Sequence, residues 1–157
     1  MSLTVRFARE GDEETIASLL VDIHTLHAKG RPDLFGKGHA KFDAEAVRRM
    51  FHSDDQPFFV ADDGEGVVGY AICKKIRNQN PVQGDYTTLY LDDLNVDERA
   101  RRQGVGSALL DACRAYAKAS GCYNLTLNVW SCNPSAMAFY QARGLVPQKI
   151  GMEMILE

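Results

Sequence analysis

The sequence predicts a single α/β (α+β) domain, spanning 1–157, in which a mixed sheet carries helices on both faces. Segments with strand and helix patterns follow one another in the order strand, two helices, three strands, helix, strand, helix, strand. This order is typical of helices packed on a sheet. The 157 residues, 45% of them hydrophobic and 25% charged, suit one packed domain rather than a disordered chain.

The first strand and the first two helices precede the central strands. The stretch "LTVRFA" alternates apolar and polar residues, as a strand with one buried face does. Asp12 is placed to cap the first helix, which ends near Gly30 and Pro32, and Asp43 is placed to cap the second. The first helix has an apolar stripe made of Ile16, Leu19, Leu20 and Ile23.

The remaining elements alternate between the two types. "PFFVAD" and "VVGYAICKKI", joined by "DGEG", predict a hairpin, and "TTLYLDDLNV" is the next strand. A helix follows, with apolar residues three and four apart, and Gly121 ends it. The run "YNLTLNVW" predicts a strand, Asn133 caps a short helix ending at Gly144, and the alternating tail "QKIGMEMIL" is expected to close the sheet.

Charge and composition exclude several classes of function. The formal net charge of −3 gives no basic surplus, so we expect no nucleic-acid partner. No apolar run has transmembrane length and the N-terminus has no signal-peptide core, so we expect a cytoplasmic protein without a membrane partner. The four cysteines form no C-x-x-C pair, and His24 and His27 have no third ligand nearby, so we predict no metal site.

The stretch "DERARRQGVGSALL" contains glycines where a turn opens a helix. The first amides of a helix have no internal partner and lie at the positive end of its dipole, so such a place binds phosphate. Gly104 and Gly106 remove side chains there, and Arg101 and Arg102 add positive charge. The alternative is a helix start with surface arginines, and G-x-G alone does not decide between them. The P-loop lysine and the third glycine of a dinucleotide site are both absent.

The strand before this turn has an irregular apolar pattern. The step from Leu91 to Leu94 is odd, whereas side chains alternate along a strand. One extra residue near Asp92 or Asp93 would restore the pattern as a β-bulge, a feature that often re-aims groups beside an active site. The freed backbone could then pair with an extended ligand as with a strand.

Two longer motifs together resemble one family. "LDDLNVDERARRQGVGSALL" and "NVWSCNPSAMAFYQARGL" resemble the GNAT superfamily of acetyl-coenzyme A (acetyl-CoA)-dependent N-acetyltransferases. The pyrophosphate motif R/Q-x-x-G-x-G/A stands at residues 101–106, and the second signature stands at Asn133, Phe139, Tyr140 and Gly144. "YLDDLNV" and "NPSAMAFY" are most similar to the diamine (polyamine) acetyltransferases. The resemblance implies a mostly antiparallel sheet of six to seven strands with a V-shaped splay between the fourth and fifth.

The resemblance also implies the cofactor and its contacts. The co-substrate is acetyl-CoA, and no metal is needed. Pairing of the backbone amides and carbonyls with the pantetheine arm is implied for Leu94 and Val96, and Asn95 between them is expected to bind the cofactor. The pyrophosphate is expected on the backbone amides of Arg102, Gln103, Gly104, Val105, Gly106 and Ser107, and Arg101 is a further cofactor-binding residue. Asn133 and Ala136 are expected to touch the cofactor near the splayed strand, and Tyr140 is expected beside the coenzyme A sulfur.

Acetyl transfer requires a neutral amine, whereas an alkylamine has a pKa of about 10.4. A base must therefore take a proton, directly or through water. Asp92 is our candidate, at the position where diamine acetyltransferases carry a glutamate; its shorter side chain favours a bridging water. Tyr140 is the candidate general acid for the leaving thiolate. The alternatives are that Asp92 only satisfies the bulge, that water or Asp93 is the base, and that Tyr140 is a core aromatic.

The sequence gives fewer indications of the residues that would bind the acceptor amine. Candidate acceptor contacts are His24, His27, Arg31, Phe35, Asp92 and Asp93, together with the loop "GRPDLFGKGH". We predict an N-acetyltransferase that acts on a primary amine of a small molecule. The alternatives are acetylation of a protein N-terminus or lysine, and a non-catalytic acyl-CoA-binding regulatory domain. Dimers are common in the resembling family, so a homodimer is a further expectation.

Overall fold

The computed structural model describes residues 2–36 and 41–156. Within these ranges one sheet has the strand order β1-β2-β3-β4-β5, antiparallel throughout except for the parallel pair β4–β5. The strands are β1 (Thr4–Phe7), β2 (Phe58–Asp62), β3 (Val67–Asn80), β4 (Gly84–Val96) and β5 (Asn124–Thr126). The helices are α1 (Glu13–Gly30), α2 (Ala44–Met50), α3 (Val105–Ala119) and α4 (Pro134–Ala142), with a 3-10 turn at Glu98–Ala100. None of the described helices is long and apolar enough to cross a membrane.

Helices α1 and α2 cover one face of the sheet. Ile16, Leu19 and Leu20 of the predicted stripe are buried and Ile23 is half-buried. Leu20 packs with Val47 of α2 against Tyr70 and Ile72 of β3. Asp43 caps α2 as predicted, because its Oδ1 accepts a hydrogen bond from the Ala46 amide at 2.8 Å. The apolar stripe of α1 and the Asp43 cap of α2 were therefore both predictable from residues close together in the sequence.

The predicted cap of α1 is wrong. Asp12 has helical dihedral angles and caps no amide of α1. Its carboxylate instead accepts hydrogen bonds from the Arg6 guanidinium at 2.8 Å and 3.1 Å and from the Arg9 amide at 2.9 Å. Burial opposes the charge of Asp12, but these hydrogen bonds outweigh it and lower the pKa of the carboxyl. The Asp12 carboxylate therefore pairs with the Arg6 guanidinium and not with the first amides of α1.

Helices α3 and α4 cover the other face. Val105, Leu109 and Cys113 of α3 are almost fully buried against Leu89 and Leu91 of β4. This burial confirms the three-four apolar spacing as the contact stripe of α3. Gly121 has a positive φ of 75°, the left-handed conformation in which a glycine ends a helix.

Strand β4 contains the predicted bulge. Asp93 lies opposite Ile72, and Leu91 lies opposite Cys73, so Asp92 is the extra residue with no partner on β3. The bulge returns Leu94 to the face of Leu91, where it packs on the same core cluster. The odd apolar step in the sequence therefore had the predicted cause.

The strand count of six to seven is wrong, since the described residues form five strands. Strand β5 covers only Asn124–Thr126 of the predicted "YNLTLNVW", and residues 146–156 form no strand. The tail has strand-like alternation, but a strand exists only where a neighbouring backbone pairs with it. Within the described chain nothing pairs with this tail, and Met152 is 92% exposed.

Candidate functional site

Strands β4 and β5 separate after a short parallel ladder. The ladder runs from Thr88, opposite Asn124, to Tyr90, opposite Thr126, and ends there. The β4 edge from 91 to 96 therefore has no neighbouring strand on the β5 side within the described structure. A V-shaped splay was predicted at this point, between the fourth and fifth strands.

The free edge of β4 presents the backbone of Leu94 and Val96. The Asp97 amide donates to the Val68 carbonyl of β3 at 2.7 Å, so the backbone of Asp97 points toward β3. Because successive residues of a strand direct their amides to alternate sides, those of Val96 and Leu94 point into the opening. The two residues predicted to pair with the pantetheine arm, Leu94 and Val96, therefore have amides on the open edge.

Asn95, which was also predicted to bind the cofactor, faces away from the opening. Its side chain is buried, and its Nδ2 donates to the Leu19 carbonyl of α1 at 3.0 Å. By the same alternation its backbone points toward β3. The contacts of Asn95 therefore tie α1 to β4, and the sequence did not separate this role from cofactor binding.

The turn after β4 leads into an uncapped helix. Arg102 has a φ of 63° and Gly104 a φ of 81°, both in the left-handed region. No side chain caps α3, and its first turn contains no acidic residue. The amides of Val105, Gly106 and Ser107 therefore have no intrahelical partner and lie at the positive end of the helix dipole.

The two glycines of the turn differ in their surroundings. A Cβ atom at Gly104 would meet nothing within 4 Å, so the space above its backbone is open. A Cβ atom at Gly106 would lie 3.3 Å from the Phe139 ring of α4 and 3.8 Å from a methyl group of Val96. Gly104 thus leaves room beside the amides, and Gly106 lets α4 approach α3.

The polar side chains of the turn contact its own backbone. The Arg101 Nε donates to the Val96 carbonyl at 3.1 Å, which holds the guanidinium at the junction of β4 and the turn. The Gln103 Nε2 donates to the Arg99 carbonyl at 3.4 Å. The Arg101 and Arg102 side chains are exposed, so their charge is available to a ligand at the start of α3.

Helix α4 brings Tyr140 to the opening. The Asn133 side chain caps α4 by accepting from the Ala136 amide at 3.3 Å, and Pro134 begins the helix. Tyr140 packs on the core cluster that contains Cys113. Burial, followed by the charge of Asp93 and the nearby Cys113, raises the pKa of Tyr140 well above its ordinary value. Tyr140 therefore remains protonated at neutral pH, as a proton donor must.

Two adjacent aspartates lie at the bulge in different surroundings. The Asp92 Oδ1 accepts a hydrogen bond from the Lys41 Nζ at 2.8 Å in a partly exposed ion pair. Burial raises the pKa of Asp93 to about 6, although Lys41 and the Tyr70 hydroxyl oppose the shift. No hydrogen bond of good geometry reaches the Tyr70 hydroxyl in the described structure. Of the two aspartates, Asp93 is therefore the one whose pKa is raised toward neutral pH.

An aromatic cluster lies at the end of α1. The Phe35 ring lies 5.7 Å from His24, 5.3 Å from His27 and 5.2 Å from Trp130 between ring centroids. Burial, then the charges of His24 and Lys41, lower the pKa of His27. Three of the predicted acceptor residues thus lie together.

Arg31, the fourth predicted acceptor residue outside β4, forms ion pairs with Asp33 and Glu153. Its guanidinium is therefore already engaged by two carboxylates. The described residues contain no group of three or more potential metal ligands. Residues 37–39 of the predicted acceptor loop lie outside the described residues.

Sequence reasoning did not identify Lys41, Tyr70 and Trp130. Lys41 follows a loop without periodicity, so nothing in the sequence connects it to Asp92. Tyr70 lies in an apolar run and reads as an ordinary core residue. Trp130 stands just before the Asn133 motif, and that position was the one available signal.

Comparison with known proteins agrees with this geometry. The model of the acetyltransferase (GNAT) family matches residues 20–145. A crystal structure of a mutant BH1408 protein from Bacillus halodurans is 28% identical, with a TM-score of 0.93 over 98% of this chain and 99% of that chain.

Two further crystal structures are more distant and share the fold. An aminoglycoside acetyltransferase from an uncultured soil metagenomic sample is 19% identical, with a TM-score of 0.72 over 99% of this chain and 97% of that chain. Glucosamine-6-phosphate N-acetyltransferase from Arabidopsis thaliana is 18% identical, with a TM-score of 0.71 over 100% of both chains. Since the family model matches most of its length, the chain belongs to the GNAT family of acetyltransferases and is an acyltransferase.

Proposed function

We propose that this acyltransferase moves the acetyl group of acetyl-CoA to a primary amine of a cationic small molecule. The observation that carries the proposal is a path of unpaired backbone amides. It runs from Leu94 and Val96, on the open edge of β4, to the uncapped first turn of α3. A cofactor with an extended amide-containing arm followed by a pyrophosphate is complementary to an open strand edge followed by an anion site.

The cofactor would bind along this path in two parts. The pantetheine arm would pair with the backbone of Leu94 and with the Val96 amide as an added strand, while the Val96 carbonyl accepts a hydrogen bond from Arg101. The pyrophosphate would accept hydrogen bonds from the amides at 105–107. Arg101 and Arg102 would add positive charge beside it. The bound cofactor supplies the activated thioester, and the protein residues place, deprotonate and protonate the groups around it.

The acceptor side of the opening is acidic, which supports a cationic substrate. Burial, then the charges of Asp93, Asp22 and Asp92, raise the pKa of the Tyr70 hydroxyl, so three carboxyls lie near it. Lys41 pairs with one of them, Asp92. A surplus of carboxylates attracts protonated amines. The aminoglycoside and glucosamine-6-phosphate acetyltransferases are named for small amino compounds, and the motifs resemble diamine acetyltransferases. These observations favour a small amine over a protein terminus.

The proton transfers follow from the bond changes. The neutral amine nitrogen attacks the thioester carbonyl carbon, an amide bond forms and the carbon–sulfur bond breaks. A carboxylate of the aspartate pair takes the first proton from the ammonium group before the attack and later releases it to solvent. Tyr140 gives its proton to the leaving thiolate, and the second proton, which the nitrogen loses as the amide forms, restores Tyr140. Within the pair, Asp92 is the base predicted from the sequence, and Asp93 has a pKa of about 6 that suits a base at neutral pH.

The acceptor class is tested by measuring coenzyme A thiol release with a panel of acceptors. We expect turnover with short diamines or amino sugars, and none with matched diols in which hydroxyl groups replace the amines. Faster turnover with peptides would support the protein acetyltransferase alternative. No thiol release with any amine would overturn the proposal.

Replacement of Gly104 by Val should abolish acetyl-CoA binding, because a branched side chain would fill the space above the amides. Gly121→Val is the matched control. Gly121 also has a positive φ, 75° against 81°, and also has open space, but it lies at the other end of α3. Calorimetry should show binding in the folded Gly121→Val protein only. Equal affinities in both variants would place the pyrophosphate elsewhere.

Replacement of Tyr140 by Phe removes only the hydroxyl group. If Tyr140 protonates the thiolate, kcat should fall by about 10²-fold, the low end for general acid catalysis, while acetyl-CoA affinity stays unchanged. Tyr116→Phe, on the far part of α3, should leave kcat unaffected. A Tyr140→Phe enzyme with lower stability and wild-type kcat would make Tyr140 a core aromatic only.

The two aspartates are separated by the pH dependence of kcat/KM. Below pH 6 a base with a pKa of about 6 already carries its proton, so the wild-type rate should fall as the pH falls through this value. Asp93→Asn should no longer show this fall in kcat/KM near pH 6, and its rate should recover as the pH approaches the amine pKa of about 10. Asp92→Asn should still show the fall. If Asp92→Asn loses the fall and Asp93→Asn keeps it, Asp92 is the base.

A further inference from the structure

Tyr70 of β3 has the one buried side-chain polar atom without a hydrogen-bond partner in the part of the chain that the structure describes. The residue is 0% exposed, and its ring packs among the apolar side chains under α1 and α2, with Phe58 and Ile72 in the same cluster. A phenylalanine would fill the same space without a polar atom, whereas a buried tyrosine hydroxyl usually has a partner. The Tyr70 hydroxyl therefore needs a partner that the apolar core does not provide.

The strand register brings Asp93 beside Tyr70. On the β3–β4 ladder Tyr70 lies opposite Asn95, and Ile72 lies opposite Asp93. Residues opposite each other share a face of the sheet, and so do residues two apart on one strand. Tyr70 and Asp93 are therefore diagonal neighbours on the face that α1 covers. Diagonal neighbours are about 7–8 Å apart, which is within reach of an aromatic side chain.

The causes of the raised pKa of Tyr70 agree with this register. Burial comes first and the charge of Asp93 second, and Asp93 is also the carboxyl that acts on the hydroxyl through a hydrogen bond. The charges of Asp22 on α1 and of Asp92 follow. The contact with Asp93 does not have the geometry of a complete hydrogen bond. Catalytic hydrogen bonds are often long in an enzyme without its substrates and tighten when the substrates bind.

The charged side chains around Asp93 do not fix its carboxylate. The charge of Lys41 lowers the pKa of Asp93, but the Lys41 Nζ donates its hydrogen bond to Asp92, at 2.8 Å. Asp92 on the same strand and Asp22 on α1 are carboxylates, which accept hydrogen bonds and do not donate them. A donor for the Asp93 carboxylate must therefore come from another residue.

The remaining titratable groups near Asp93 leave Tyr70 as that donor. His24 and His27 of α1 face Lys41, since the charges of His24 and Lys41, after burial, lower the pKa of His27. The Tyr140 hydroxyl belongs to the core cluster on the α3 side of the sheet, where it is the candidate donor to the thiolate. Tyr70 shares a face with Asp93, and no other described group binds its hydroxyl.

We propose that Tyr70 is a positioning residue, whose hydroxyl donates a hydrogen bond to the Asp93 carboxylate and holds it in one orientation beside the opening. The inference rests on the proposed function, in which Asp93 is a candidate base. The ring of Tyr70 is enclosed by the core, so its hydroxyl is a fixed point for a carboxylate that would otherwise rotate. A donor also favours the charged form of Asp93, which is the form that takes a proton from the acceptor. Tyr70 thus partly offsets burial, which raises the pKa of Asp93 to about 6.

The proposal is tested by NMR titration of the full chain, with its aspartates labelled at the carboxyl carbon. The Asp93 signal is identified by its absence from Asp93→Asn. Tyr70→Phe keeps the ring and removes only the hydroxyl. The titration midpoint of Asp93 should therefore rise by about one pH unit or more, because the charged form loses a hydrogen bond.

Tyr116→Phe is the matched control for this titration. Tyr116 also packs against a phenylalanine of β2, with its ring centroid 5.9 Å from that of Phe59, against 6.3 Å between Tyr70 and Phe58. It lies on α3, however, and packs with the cluster on the other face of the sheet. The Asp93 midpoint should be the same in Tyr116→Phe as in the wild-type protein.

The titration separates a positioning role from a purely structural one. If the Tyr70 hydroxyl only occupies space in the core, Tyr70→Phe should change the melting temperature and leave the Asp93 midpoint where it is. That result would overturn the proposal. A lower midpoint in Tyr70→Phe would overturn it as well, because the hydroxyl would then disfavour the charged carboxylate.

The rate profile tests the role of Asp93 as the base separately. In Tyr70→Phe, the fall in kcat/KM near pH 6 should move to higher pH by the same amount as the Asp93 midpoint. A raised midpoint with an unmoved rate profile would support the hydrogen bond and count against Asp93 as the base of the proposed function. An unmoved midpoint would overturn the inference about Tyr70 and leave the proposed function intact.

Discussion

The β-bulge at Asp92 is the constraint on which both the core and the opening depend. Side chains of a strand alternate, so Leu91 and Leu94 share a face only because Asp92 adds one residue without a partner on β3. A regular register would turn Leu94 away from α3 and would bring Asp93 into the apolar contact with that helix. The bulge thus keeps one face apolar while it holds two carboxyls at the point where β4 leaves β5.

The turn from β4 into α3 combines two different uses of glycine. Gly104 supplies a left-handed residue with open space, which leaves the first amides of α3 accessible. Gly106 instead permits contact with the Phe139 ring and so fixes the distance between α3 and α4. Since Tyr140 follows Phe139, this contact also fixes where Tyr140 lies relative to the uncapped first turn of α3. The arginines before Gly104 add charge to a site whose shape is made by backbone.

Local signals in the sequence predicted those elements whose partners are close along the chain or strongly apolar. The cap at Asp43, the stripe of α3 and the bulge are examples, and the two motifs predicted the opening and the turn. The cap at Asp12 failed because Arg6 competes for its carboxylate. Lys41 lies outside any periodic segment, so no sequence pattern indicates its contact with Asp92. The strand predicted in the tail is absent because alternation indicates an apolar face but does not indicate which backbone will pair with the segment.

The opening between β4 and β5 also explains how an acid and a base on opposite faces of a sheet could act on one bond. Asp93 lies with Tyr70 on the face covered by α1 and α2, whereas Tyr140 packs with the core on the α3 side. In a continuous sheet a hydrogen-bonded backbone would separate them. After Tyr90, β5 no longer pairs with β4. Burial, and then the charge of Asp93, raise the pKa of Tyr140. A thioester held along the edge of β4 would therefore meet a proton acceptor from one face and a proton donor from the other.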